Sequence, residues 1–130
     1  MERKNRHSIY DLEYHLVVVT RYRHPVISER LKPRLFEIAE KVVCKDFGCF
    51  ITSIEAMPDH VHLLFEAPPH VQLSKVVNSF KTVTSRLLRK EFPHEVGKYY
   101  WKPYFWSMSY FIATVSERSR SAVKRYIESQ

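Results

Sequence analysis

The sequence predicts an α+β fold in which two helices cover one face of a four-stranded antiparallel sheet. Four segments have the apolar, β-branched or aromatic composition of strands, and two longer segments carry apolar residues at helical spacing. They follow one another as strand, helix, strand, strand, helix, strand, and a further helical segment closes the chain. This βαββαβ order is that of the ferredoxin-like, split βαβ arrangement, which RNA-recognition (RRM-like) domains share.

Three strands and one helix are expected in the first half of the chain. Residues 13–20 are β-branched and nearly all apolar, which predicts a central strand. A helix capped by its first residue is expected over 28–46. Residues 49–57 and 60–67 predict two strands, and the turn Pro58-Asp59 between them predicts a hairpin.

The second half of the chain predicts a basic helix, an aromatic loop, a strand and the closing helix. Apolar spacing predicts a helix over 74–92, capped by its first residue, and a strand over 107–115. Between them, 93–106 is expected to be irregular because prolines interrupt it. The closing helix is expected over 117–130, and polar residues 1–12 are expected to form an extended arm.

Length and composition set the class of protein. With 130 residues, of which 45% are apolar and 27% charged, residues 1–130 are expected to form one globular domain. No apolar run reaches the length of a membrane span and no signal segment is visible, so a cytoplasmic location without a membrane partner is expected. Cys44 and Cys49 are expected to be reduced residues without a role. The net charge of +7 favours a polyanionic partner, most simply nucleic acid.

A histidine pair opens the third predicted strand. In Pro58-Asp59-His60-Val61-His62-Leu63-Leu64, side chains alternate between faces, so His60 and His62 point one way while Val61 and Leu63 point the other. Two imidazoles with Cα atoms about 6–7 Å apart on one sheet face can bind one metal ion. The alternative is that they are ordinary polar residues on a solvated face.

The closing helix carries a second candidate group. Tyr126 and Gln130 are four residues apart and therefore share one helix face. Val123 and Ile127 have the same spacing and can anchor the helix. Taken alone, the tyrosine could equally be a packing residue.

Three segments together resemble the single-tyrosine HUH (Y1) transposases of the IS200/IS605 type. They are Pro58-Asp59-His60-Val61-His62-Leu63-Leu64, Trp106-Ser107-Met108-Ser109-Tyr110-Phe111 and Tyr126-Ile127-Glu128-Ser129-Gln130. The basic segment Arg21-Tyr22-Arg23-His24-Pro25 and the helix around Lys81 also fit the family pattern. The resemblance covers nearly the whole chain.

The resemblance implies a chemistry and a set of roles. Tyr126 would be the nucleophile that cleaves and rejoins single-stranded DNA through a 5′-phosphotyrosine link. His60, His62 and Gln130 match the positions of ligands for Mg²⁺ or Mn²⁺. Family members recognise DNA hairpins at element ends and form homodimers, so active sites shared between subunits are expected. Ser116 stands where the family usually has a hinge glycine, which puts hinge freedom in doubt.

The cations of the second helix and of the basic segment are the expected DNA contacts. These residues are Lys75, Lys81, Arg86, Arg89 and Lys90, together with Arg21 and Arg23. The aromatic stretch 99–106 is expected to stack on bases, whereas Tyr110 and Phe111 are expected to pack in the core.

Three other functions use the same features. A non-catalytic RRM-like nucleic-acid-binding module would have the same sheet, although an RRM-type aromatic pattern is absent. A domesticated relative that processes repeated palindromes would have the same residues. A metal-dependent hydrolase that uses water would form no covalent adduct with DNA.

Overall fold

The sheet of the predicted fold is present in the computed structural model, which describes residues 12–116 and 119–130. Its strands are β1 (Leu12–Val19), β2 (Phe50–Met57), β3 (His60–Ala67) and β4 (Phe111–Thr114). They are arranged in the order β2-β3-β1-β4, and every neighbouring pair is antiparallel. The α+β fold class and the ferredoxin-like strand order are therefore confirmed.

The described residues form four α-helices. They are α1 (Lys32–Ala39), which continues as a π-helical segment over Glu40–Asp46, α2 (Leu73–Glu91), α3 (Pro93–Gly97) and α4 (Ser119–Glu128). None of these helices is long and apolar enough to cross a bilayer.

The central strand β1 is buried on both faces. Leu16 and Val18 point into the main core, where strand residues such as Val61 and Phe65 pack against α1 and α2. Val17 and Val19 point to the opposite face and pack against Val123, Phe111, Tyr126 and Ile127. Two helices therefore cover one face of the sheet, and α4 covers part of the other.

Two predicted helix starts differ from the observed ones. Ser28 does not cap α1; its hydroxyl and carbonyl oxygens accept the N–H of Leu31, which closes a turn ahead of the helix. The second helix starts one residue before Ser74, because a turn from Pro68 to Val71 brings Gln72 to the N-cap.

The fourth strand is shorter than the predicted range 107–115. The ammonium group of Lys81 donates to the carbonyl oxygens of Ser107 and Met108 at 2.8 and 3.2 Å. These carbonyls are therefore satisfied outside the sheet ladder, which Tyr110 does not join. The range 93–106 is not wholly irregular, since Pro93 starts the short helix α3.

The last helix ends at Glu128, before the predicted end at residue 130. The Ser119 hydroxyl accepts the N–H of Ser116 and donates to its carbonyl oxygen. Of the predicted arm over residues 1–12, residues 1–11 lie outside the described residues, whereas Leu12 belongs to β1. Residues 117 and 118, at the predicted start of the last helix, also lie outside them.

Candidate active site

The histidine pair lies on the face of the sheet that α4 partly covers. Val61 and Leu63 of β3 are fully buried in the main core, whereas His60 and His62 are half-buried on the opposite face. In the ladder with β1, His60 lies opposite Val19 and His62 opposite Val17. The alternation predicted for this strand is confirmed.

His60 is oriented by an acidic neighbour. Its Nδ1 lies 2.8 Å from Oδ1 of Asp59, whose other oxygen accepts a hydrogen bond from Arg23 at 3.0 Å. Burial raises the pKa of Asp59, but the hydrogen bonds from His60 and Arg23 outweigh it and hold the pKa below its ordinary value. This leaves Nε2 of His60 for a ligand, and a carboxylate behind an imidazole is the usual setting of a metal-binding histidine. From the sequence, Asp59 was predicted only as a turn residue.

His62 contacts a third histidine, His15, which was not predicted as a site residue. Nε2 of His62 lies 2.9 Å from Nδ1 of His15 in β1, and Nε2 of His15 lies 2.8 Å from Oγ of Ser119 in α4. Burial lowers the pKa of both imidazoles, and their mutual proximity lowers that of His62 further. Both rings are therefore neutral at pH 7. Strand alternation places His15 with Val17, but only the β1–β3 register shows that His62 is its neighbour.

Tyr126 and Gln130 converge on Ser109. The Tyr126 hydroxyl lies 2.8 Å from Oγ of Ser109, which also donates to Oε1 of Gln130 at 3.4 Å. The Tyr126 ring packs on Phe111 with 5.6 Å between ring centroids. Both side chains therefore contact one hydroxyl, although Gln130 lies beyond the end of α4 at Glu128 and not on one continuous helix face with Tyr126. Phe111 packs beneath the tyrosine and not in the main core; Tyr110 packs against the main core as predicted.

The end of β1 lies between the histidine pair and the segment that contacts Tyr126. Val19 pairs with His60 on one side and accepts the N–H of Ser107 at 2.7 Å on the other. Arg23 also donates to the carbonyl oxygen of Ile127 at 3.3 Å, which links the end of α4 to Asp59. Among the described residues, no hydrogen bond joins Gln130 to His60 or His62, and no cluster of three His, Cys, Asp or Glu side chains suits a metal ion.

The backbone is strained where the chain leaves β1. Tyr22 and Arg23 have φ values of 58° and 54°, in the left-handed region that residues other than glycine seldom adopt. The bonds of Arg23 to Asp59 and to α4 stabilise this conformation. Tyr22 is 67% exposed, a surface aromatic that was not predicted from the sequence. Arg23 therefore holds parts of the site together, and its predicted contact with DNA stays a prediction.

A cavity of about 600 Å³ lies between α4 and the strands β1, β2 and β3. Its walls include His15 and His62 on one side and the charged residues Arg120, Lys124 and Glu128 of α4 on the other. The imidazoles are therefore reachable from solvent along the helix.

A basic cleft of about 420 Å³ lies between α2 and the segment 103–108. Four of the seven predicted DNA-contacting cations line it, namely Arg21, Lys81, Arg86 and Arg89. The Arg21 guanidinium stacks on Tyr104 at 4.0 Å from the ring centroid. Burial lowers the pKa of the Lys81 ammonium, which is occupied by two carbonyls. Lys75 and Lys90 are exposed on α2 but do not line this cleft.

Only part of the aromatic stretch 99–106 can stack on bases. Tyr100, Phe105 and Trp106 are buried, and the Trp106 indole donates to Thr84 at 2.8 Å. Trp101 is 93% exposed, and Tyr104 borders the basic cleft. The prediction of a stacking surface is therefore wrong for the three buried residues, whose rings serve the core.

Known proteins share both the sequence and the fold. The family described as "Transposase IS200 like" matches residues 8–130. The chain is 35% identical to the ISDra2 transposase TnpA of Deinococcus radiodurans over 128 residues, which is 98% of this chain and 90% of that protein. It is 26% identical to the transposase for insertion sequence element IS200 of Salmonella typhimurium, covering 99% of this chain and 83% of that one.

Two solved structures are similar. A crystal structure from Deinococcus radiodurans R1, described as a transposase, superposes with a TM-score of 0.85 at 35% identity over 98% of this chain and 97% of the other. A REP-associated tyrosine transposase bound to a REP hairpin has the same fold, with a TM-score of 0.62 at 14% identity over 95% and 68% of the two chains. Since the family match spans nearly the whole sequence, the chain belongs to the family of IS200-like transposases.

Proposed function

We propose that this transposase cleaves and rejoins single-stranded DNA with Tyr126 as the nucleophile. The observation that carries the proposal is the hydrogen bond of Tyr126 to Ser109 beside the sheet face of His60 and His62. A packing tyrosine would need only its ring buried, whereas this hydroxyl is held at an exposed edge.

The proposed reaction is a transesterification. The Tyr126 oxygen attacks a backbone phosphorus, a tyrosine O–P bond forms, and the bond from phosphorus to the 3′ oxygen breaks. The products are a 5′-phosphotyrosine and a 3′-hydroxyl, which takes up one proton while the phenol gives one up. Because one phosphoester replaces another, the 3′-hydroxyl of a different strand can reverse the step. A free phenol has a pKa near 10, so its deprotonation needs assistance.

A divalent cation, Mg²⁺ or Mn²⁺, is proposed at the histidine pair. The donor set fits such an ion: burial favours the neutral form of the His62 imidazole, and His60 has the Asp59 carboxylate behind it. Gln130 would add an amide oxygen if it left Ser109. When bound, the cation would polarise a non-bridging phosphate oxygen and orient the phosphate.

The basic cleft is the proposed site for a DNA hairpin. Arg21, Arg86 and Arg89 can pair with phosphates there, and the exposed Trp101 and Tyr22 offer stacking surfaces nearby. The hairpin itself is proposed from the family resemblance, since the REP-bound relative is too distant to show more than the fold. An enzyme of a mobile element and a palindrome-processing relative would both have these residues. The cytoplasmic location stays a prediction.

A homodimer with shared active sites is also proposed. Within one chain, α4 lies on its own sheet through Val123, Tyr126 and Ile127. Because this apolar face is small, the same contacts can be made by the α4 of a second copy.

The experiment is an adduct assay. The protein is incubated with Mn²⁺ and single-stranded DNA from the flanks of its own gene, then run on a denaturing gel. A protein–DNA adduct that disappears with a chelator is expected. Cleavage without any adduct would indicate a hydrolase. Binding of the DNA without cleavage would indicate a non-catalytic module.

A further inference from the structure

His15 is the buried polar side chain of the site that the proposed reaction does not use. It is 7% exposed and lies between His62 on β3 and Ser119 at the start of α4. Both of its ring nitrogens are within hydrogen-bond distance of a partner. His15 thus connects a proposed metal ligand to the helix that carries the proposed nucleophile.

The Ser119 hydroxyl determines the direction of these hydrogen bonds. Its oxygen lies 2.7 Å from the carbonyl oxygen of Ser116, a distance that requires a proton between the two oxygens. A carbonyl has no proton to give, so the hydroxyl donates to Ser116 and has no second hydrogen for His15. Nε2 of His15 must therefore be the donor at the 2.8 Å contact with Ser119.

The state of His62 follows from that of His15. In a neutral imidazole that carries its proton on Nε2, Nδ1 is an acceptor. Nε2 of His62 therefore donates to Nδ1 of His15, and Nδ1 of His62 keeps its lone pair. The reverse direction would place the His62 proton on Nδ1 and use the Nε2 lone pair, so that neither nitrogen could bind a cation.

We propose that His15 is a positioning residue that couples the docking of α4 to the ability of His62 to bind a divalent cation. While Ser119 is docked, His62 presents Nδ1 as its ligand atom, and His60 presents Nε2. When α4 moves away, His15 loses the acceptor for its Nε2 proton. The hydrogen bond between His15 and His62 can then run in either direction. This inference rests on the metal role given to His62 under the proposed function.

The first test is made on the metal-free full chain. Nuclear magnetic resonance of ¹⁵N-labelled histidine assigns the protonated nitrogen of His15 and His62. The wild type is expected to carry both protons on Nε2, and Ser119→Ala is expected to give a mixture at His62. His94→Asn, an exposed histidine of α3, is the matched control.

The second test measures Mn²⁺ binding by calorimetry. His15→Phe is expected to weaken the affinity about 10-fold, the lower end of the effect of losing a partner of a metal ligand. Ser119→Ala is expected to weaken it by the inverse of the fraction of His62 that keeps its proton on Nε2. His94→Asn should leave the affinity within about threefold of the wild type, well below the effect of losing a partner. Thermal unfolding confirms that each variant is folded, and Ser119→Ala carries the test if His15→Phe is not folded.

Three results would overturn the inference, and they can be distinguished. A wild-type protein that binds Mn²⁺ but has the His62 proton on Nδ1, or a Ser119→Ala variant with unchanged tautomer and affinity, rejects the coupling alone. A wild type that binds no Mn²⁺ rejects the proposed metal role together with the coupling.

Discussion

Individual side chains of the site depend on partners that come from distant parts of the sequence. His60 is oriented by Asp59, which Arg23 holds, and Tyr126 is held by Ser109. Strand and helix periodicity predicted which faces His60, His62 and Tyr126 occupy, because alternation and helical spacing are local properties. They could not predict His15, Ser109 or Arg23 as partners, because these contacts depend on strand register and on the position of α4.

The Asp59 carboxylate can be tested as the partner of His60. We expect Asp59→Asn to weaken Mn²⁺ binding about 10-fold, since a carboxylate behind an imidazole raises the basicity of the ligand nitrogen. Calorimetry measures the affinity, and Glu95→Gln, an acidic residue of α3 that also pairs with an arginine, is the control. Equal affinities in the two variants would contradict this role.

The elements of the fold were easier to predict than their ends. Four strands and their order followed from apolar patterns, and the two-helix layer followed from amphipathic spacing. The short β4 could not be predicted, because the side chain that ends the ladder, Lys81, comes from α2. The burial of Trp106 also depends on α2, through Thr84.

Lys81 and Arg86 should separate the structural and DNA-binding roles of α2. Lys81→Met leaves two carbonyls without a donor and is expected to lower the free energy of unfolding by about 1–3 kcal/mol. Arg86→Ala should leave that free energy nearly unchanged but make the dependence of DNA affinity on salt shallower. Denaturant titration and binding over a salt series measure the two effects. If Lys81→Met has the same free energy of unfolding as the wild type, the structural role is contradicted. If Arg86→Ala has an unchanged dependence of DNA affinity on salt, the proposed DNA contact is contradicted.

The pair that joins α1 to α2 gives a prediction about acid stability. Arg34 holds both oxygens of Glu91 at 2.8 and 3.0 Å and thereby lowers the pKa of Glu91 below its ordinary 4.5. The stabilisation is therefore present above pH 4.5 and is lost as the pH falls through the lower pKa of the folded state. Since the pair is part-exposed, Arg34→Gln should cost less than about 1 kcal/mol at pH 7.

That cost should become smaller in acid. Free energies of unfolding from denaturant titrations at pH 7 and pH 3 measure the difference, and the exposed Lys45→Gln controls for the loss of one positive charge. A cost that is the same at both pH values would contradict the assignment to Glu91.

At the scale of the whole molecule, α4 on the sheet brings the tyrosine and histidine groups to one face. The fold, the family and the faces of the site residues could be predicted from the sequence because each rests on local patterns. The subunit from which α4 comes could not be predicted, since the small apolar face of α4 does not depend on which subunit it packs against.

Mixing two inactive proteins tests the shared-site dimer. Tyr126→Phe and His62→Ala should each be inactive, but after subunit exchange one site combines the intact histidines of the first with the intact tyrosine of the second. Cleavage should return, with the adduct only on the His62→Ala chain, which carries a tag of different size. Confirmed exchange without activity would place each site within one chain.

The central claim is that Tyr126 forms the covalent link to DNA. The most direct measurement is mass spectrometry of the DNA-linked peptide after Mn²⁺-dependent cleavage, with Tyr126→Phe and Tyr110→Phe compared under the same conditions. The account predicts that the nucleotide mass lies on Tyr126, that Tyr126→Phe binds DNA but forms no adduct, and that Tyr110→Phe forms one. A nucleotide mass on another residue, or a normal adduct yield from Tyr126→Phe, would contradict it.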